Sequence, residues 1–210
     1  MSGEGESLRP PMLDTTMLRT YESRLRAQGV PVDEWRKPGL TDDEMSEVLA
    51  QLGLGLPMEG RVWWGWHNGA PGNGKGKLVA PSGDKFLSLA EAIETYREFR
   101  TIVQELIEPD IPLLADPDYR WNPAWLPIRG PQLPVVIDCS VPEGQPTPLR
   151  FIDLQDVEGS PKPRAQSLGQ MVSWWIEAID CGAWRWNPES NQWDTHDELL
   201  RWELRTNPLV

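Results

Sequence analysis

An α+β fold is predicted for this chain, a single domain with an antiparallel or mixed sheet flanked by helices. Three observations predict it. Residues 121–156 hold three short apolar runs, 124–128, 133–139 and 149–154, fenced by the Pro/Gly-rich breaks IRGPQLP and SVPEGQPTP. Runs of that length, rich in Val, Ile, Leu and Phe and bounded by turn residues, read as strands. Four S/T-x-x-E/Q patterns, Thr41–Glu44, Ser88–Glu91, Ser167–Gln170 and Thr195–Glu198, read as capping boxes that open helices. Finally, helical patterns come first, strands next and helix again last, which is not the βαβ alternation of a parallel sheet.

Taken in order, residues 1–13 are Gly, Ser, Pro and charge and read as a loose tail. A helix follows over TTMLRTYESRLRAQ, with Met17, Leu18, Tyr21 and Leu25 on one stripe; Gly29 closes it and Pro31 prevents continuation. The second helix starts at Thr41, with Met45, Val48, Leu49 and Leu52 inward and Gly53 at its end. Pro57 and Asn68-Gly69 bracket a third, packed through Val62, Trp63 and Trp66, in which Gly65 implies close approach by another backbone. The longest helix runs over 89–107. After the strands, LGQMVSWWIEAID places Leu168, Met171, Val172, Trp175, Ile176 and Ile179 at helical spacing, the signature of a core-facing stripe. Trp184-Arg185-Trp186 and Asn191-Gln192-Trp193 around NPES read as a hairpin, and Thr195 as the start of a last short helix. The middle run, PVVIDCS, is apolar on both alternating faces as far as Asp138, which places it in the sheet interior. The organisation expected is a tail over 1–13, the main domain over 14–183, and a Trp-rich hairpin and short helix over 184–210 packed on it.

The chain has 210 residues, 39% of them hydrophobic, and a formal net charge of -12 from 32 acidic and 20 basic side chains. The phosphate backbone repels such a protein, so nucleic acid and anionic membranes are poor candidate partners and a basic protein is the natural complement; on composition alone, a charge that serves only solubility is an equal reading. No apolar run approaches the roughly 20 residues of a membrane span. The N-terminal MSGEGESLRPPM lacks the apolar core of a signal peptide, and with two cysteines the chain fits a reducing cytoplasm. Twelve tryptophans stand against three Phe and three Tyr; most are read as structural, at packed and partly polar seams.

No enzyme signature emerges. The loop over 69–78, with Gly72, Gly74, Gly76, Lys75 and Lys77, lacks the GxxxxGK[ST] order and a following Ser or Thr, so it is read as a surface loop and not a phosphate cradle. His67 suits a helix C-terminus and His196 a capping box; neither has a neighbouring ligand at metal spacing, and no metal or cofactor is expected. Cys139, at a buried strand, is read as inert. Asp138 is placed at one end of the sheet and Asp153, Asp156 and Glu158 at the other, which argues against an acid/base pair. They are expected to form, with Trp121, an acidic recognition rim for a protein partner.

Three blocks together resemble the SMI1/KNR4 (SUKH) family. Leu52-Gly53 through Leu56-Pro57 to Trp66-His67-Asn68-Gly69 is similar to its "LG..LP" helix ending in Asn-Gly or Asp-Gly. The stretch 121–128, WNPAWLPI, is similar to its W-x3-W-[LI]-P-[IF] strand, followed by the Asp-bearing strand 135–138. Ser167 opens the helix after the sheet, where members carry a Ser-Leu or Ser-Phe start. Gly130-Pro131-Gln132-Leu133-Pro134 departs from the family's Gly-Asp, and the Trp-rich tail from Trp184 is not in its usual pattern. The resemblance implies an α+β fold that acts by binding proteins, without catalytic residues. It implies an immunity protein that occludes the active site of a cognate basic toxin domain. A regulatory or scaffold module of cell-wall synthesis or signalling is the alternative reading, and a small-molecule or enzymatic use of the Trp-rich face a third.

Overall fold

Five strands form one antiparallel sheet in the order β1-β2-β3-β4-β5: Lys85–Phe86, Trp125–Gly130, Val135–Asp138, Leu149–Phe151 and Pro163–Ala165. The computed structural model describes residues 9–35, 37–70, 80, 85–107, 116–130, 133–154 and 162–210. Among these are seven helices, α1 (Thr15–Ala27), α2 (Val32–Trp35), α3 (Asp42–Ala50), α4 (Met58–Trp66), α5 (Leu89–Glu105), α6 (Pro117–Arg120) and α7 (Leu168–Asp180). A hairpin, β6 (Trp184–Asn187) and β7 (Gln192–Thr195), and a 3₁₀ turn, Asp197–Leu199, follow α7.

The sheet is covered on both faces, and the alternation of β3 shows how. Val135 and Ile137 join Leu126, Ile128 and Leu149 in the main core with α1, α4 and α7. Val136 points the other way, with Trp125 and Ile152, beneath Phe99 and Val103 of α5 and Trp121 after α6. A strand sandwiched in this way is apolar at successive positions, which accounts for the run PVVI. The expected middle strand is therefore the central one. The sheet is not contiguous in sequence, however: β1 lies between α4 and α5 and pairs with β2 across the long helix, Lys85 opposite Gly130. Two residues carry too little periodicity to be read as a strand, and the same holds for β5.

Helix starts follow their caps. Thr41 and Ser88 each close a complete capping box with Glu44 and Glu91. Ser167 accepts from the Gln170 N–H, but the Gln170 side chain accepts from the Gln166 N–H and not from Ser167, so the third box is half formed. The fourth is not formed. Thr195 belongs to β7, opposite Trp184, and the turn behind it has no side-chain cap. The turn begins at Asp197 with His196 at the cap position, which leaves Thr195 one residue too early to cap it.

Gly29 and Gly53 end α1 and α3 in the left-handed region, at φ of 83° and 64°. The close approach read from Gly65 exists, but the residue that requires glycine is its neighbour in space. The Leu40 N–H bonds the Trp64 carbonyl at 2.9 Å, and a Cβ on Gly39 would lie 1.8 Å from the Gly65 oxygen. Residues 9–13, expected in the tail, are docked. Leu13 is buried, Ser167 Oγ donates to the Pro11 carbonyl, and the backbone of 11–13 lies where a Cβ on Gly169 would fall.

Tryptophans fill the main core in tilted and edge-to-face contacts. Trp66, Trp63, Trp175, Trp184, Trp193 and Trp186 follow one another with ring centroids 5.5 to 6.4 Å apart. The indole N–H of Trp64 reaches the Leu87 carbonyl and that of Trp175 the Leu209 carbonyl. Beyond α7, Leu200, Leu204 and Leu209 are buried in the same core.

Candidate functional site

The antiparallel register of β3 and β4 separates the acids expected to act together. Asp138 ends β3, while Asp153 follows β4 at the opposite end, where the Ile152 N–H bonds the Pro134 carbonyl. Asp138 is engaged from within: Arg150 stands 3.5 Å away, each side chain 17% exposed, and the Ser140 N–H donates to Asp138 at 3.0 Å. The Arg150 guanidinium in turn lies 5.1 Å from the Trp125 ring centroid. Asp138 thus ties the sheet end together. Asp153 is exposed; Asp156 and Glu158 lie outside the described residues, as does most of the glycine-rich loop.

Trp121 is corrected from the expected rim. It is fully buried, its ring 4.8 Å from Phe99 and 6.5 Å from Tyr96. The α5 helix and the sheet both contribute apolar side chains to that small core, and the largest ring in the segment fills it.

The reactive side chains are likewise held by structural partners. His67, at the C-terminal end of α4, sits between two acceptors, the Lys37 carbonyl at 3.1 Å from Nδ1 and Glu22 at 3.2 Å from Nε2. The Trp66 indole donates to the same Glu22 oxygen at 2.7 Å. This His–Glu–Trp cluster staples α1 to α4. Cys139 is partly buried; burial, and then the neighbouring Asp138 carboxylate, push its thiol up to about 12, which leaves it protonated and a poor nucleophile at neutral pH. Among the described residues, no group of three or more His, Cys, Asp or Glu is placed to hold a metal ion, and no helix is long and apolar enough to cross a membrane.

Sequence reasoning passed over Glu59. Its side chain in the first turn of α4 is wholly buried and accepts three backbone N–H groups, from Leu13 at 2.6 Å, Gly169 at 2.9 Å and Thr147. A buried carboxylate is the usual mark of a catalytic acid. Here both oxygens are occupied by main chain, one of them at the N-terminal end of α7, so Glu59 is a clamp. Its partners lie 46 to 110 residues away, and no local pattern announces them.

Two surface features remain. A cleft of about 490 Å³ lies between α1 and α4, with Leu18, Val62 and Trp66 among its lining and Arg19, Glu22, Asp42 and Arg61 supplying both charges. Arg61 is held by Glu143 and by the Leu56 carbonyl. The second feature is Trp202, 75% exposed, with Leu199 45% exposed nearby in sequence. Trp202 is the one exposed tryptophan whose side chain is described. Its sequence signal was slight: it sits between Arg201 and Glu203 in a Trp-rich tail read as packed.

A family model, that of the SMI1 / KNR4 family (SUKH-1), matches residues 39–174. The match begins at the glycine that meets α4 and ends within α7. No curated protein matches the chain.

Proposed function

The chain belongs to the SMI1/KNR4 family (SUKH-1), and from that premise we propose that it is an immunity-type protein that neutralises a cognate basic toxin domain by occluding its active site. Members of this family are generally non-catalytic and commonly serve as immunity proteins. The observation that supports a basic partner is the net charge of -12. A toxin that acts on nucleic acid holds phosphates on a basic surface. An acidic protein competes for that surface and is steered to it by the long-range field, which raises on-rates about 10- to 1000-fold. Exposed acids such as Asp153 belong to that field. The engaged Asp138 and the buried Trp121 are left out of the contact.

The test is affinity capture with the tagged full chain, followed by co-expression with the toxin domain that it retains. Protection from that toxin and no other is expected, with a one-to-one complex in size-exclusion chromatography. The association rate should fall steeply as salt is raised while dissociation changes little. Protection without salt dependence removes the steering argument. Absence of protection, with several endogenous proteins retained instead, points to a regulatory module.

A further inference from the structure

We propose that Trp202, supported by Leu199, is the aromatic anchor by which this chain holds a basic protein domain, seating in an apolar pocket of that partner. The proposal rests on the immunity reading and adds to it the surface that makes the contact.

Trp202 is fixed in place although its ring is in solvent. Leu200 and Leu204 on either side are 3% and 2% exposed and belong to the main core. Between them the turn is tied by the Leu204 N–H to the Arg201 carbonyl at 3.0 Å. Arg205 donates to the Leu200 and Glu198 carbonyls, both at 2.9 Å. Further along, Arg129 donates to the Pro208 carbonyl and Trp175 to the Leu209 carbonyl, both at 2.7 Å. A large ring on a clamped turn has already lost the backbone freedom that binding would otherwise remove, which is the condition for a strong anchor.

The charges around it select the occupant. Asp197, Glu198 and Glu203 are all exposed within five residues of Trp202. Of the two cations within the same span, Arg201 is paired with Glu177 at 2.9 Å, and Arg205, also exposed, is bonded to main-chain carbonyls and keeps its charge, so acids outnumber bases three to two. An apolar centre with an acidic border fits a basic protein surface with an apolar pocket. It disfavours an anionic membrane, and two copies of a chain with a net charge of -12 repel each other. Residues 197–203 also lie beyond the span matched by the family model, 39–174.

The test measures binding kinetics of the captured toxin domain, carrying an inactivating active-site substitution, against the full chain and its variants. Trp202→Ala is expected to weaken binding roughly 30-fold or more, chiefly through faster dissociation. The combined Asp197→Asn, Glu198→Gln and Glu203→Gln variant is expected to slow association at low salt. Ile102→Ala, which removes another exposed side chain, should bind within about twofold of the parent, the ordinary outcome for a residue outside an anchor. Circular dichroism should show Trp202→Ala folded. If the parent chain binds and protects while Trp202→Ala binds equally well, the anchor is overturned and the immunity reading stands. If the parent neither binds nor protects, both fall. A dimer of the chain that Trp202→Ala dissolves would overturn the proposal in favour of self-association.

Discussion

Glu59 joins three segments that are remote in sequence, and its two oxygens share the work unequally. Oε1 accepts from Leu13 and Gly169, and Oε2 from Thr147. An amide in its place keeps one accepting oxygen for the first pair and turns its NH₂ toward the Thr147 N–H. Glu59→Gln is therefore expected to cost about 1–3 kcal/mol, the penalty of one buried donor without an acceptor, and Glu59→Ala at least about 3 kcal/mol, since all three donors are stranded. Urea unfolding of the two variants checks the grading; equal losses would mean that volume and not hydrogen bonding governs the site. The same logic separates Trp121 from Trp202. The first is enclosed by Phe99, Val103 and Val136, and the second is held out by neighbours that go inward.

At the scale of the element, α5 depends on how it starts. Ser88 accepts from the Glu91 N–H at 3.3 Å, and Glu91 reaches back to the Ser88 N–H at 2.9 Å while pairing with Lys85 of β1. Burial acts to raise the Glu91 carboxyl, but the hydrogen bonds from Lys85 and Ser88 outweigh it and hold it below the usual carboxylate range. A folded pKa below the unfolded one stabilises the fold in full above the unfolded value, about 4.3, and the gain is lost as pH falls through the folded value. Ser88→Ala should cost about 0.5–2 kcal/mol at neutral pH. Glu91→Gln should be less stable than the parent at pH 7, with the gap closing as pH falls through the folded value, as followed by denaturation across an acid pH series. A gap that persists in acid would show that the carboxylate charge is not its source. The third and fourth capping patterns show where local reading stops: Gln170 turned to Gln166, and Thr195 was held by its strand partner.

Across the whole molecule, the segment beyond α7 is part of the main core. Burying Leu200, Leu204 and Leu209 contributes roughly 1.5–3 kcal/mol each, comparable in sum with the net stability of an ordinary domain, about 5–15 kcal/mol. Removing residues 196–210 also takes away the carbonyl acceptors of Trp175 and Arg129. The truncated chain is expected to unfold or aggregate, whereas Trp202→Ala keeps its melting temperature. A truncated chain as stable as the parent would show that the extension is merely appended. Trp202 must for this reason be tested by point substitution in the full chain.

Capping boxes, glycine stops and apolar stripes are short-range features, and they were legible because each is satisfied by residues within a few positions. They sufficed for the α+β class, the main helices, the central strand and the hairpin, and the blocks at 52–69, 121–138 and 167 sufficed for the family. Tertiary structure alone decided what depends on distant partners: the clamp at Glu59, the glycine required at 39, the burial of Trp121 and the exposure of Trp202. An exposed and a buried tryptophan carry the same side chain and the same apolar area. Which of them meets solvent depends on whether other elements arrive to cover it, and that is a property of the assembled chain.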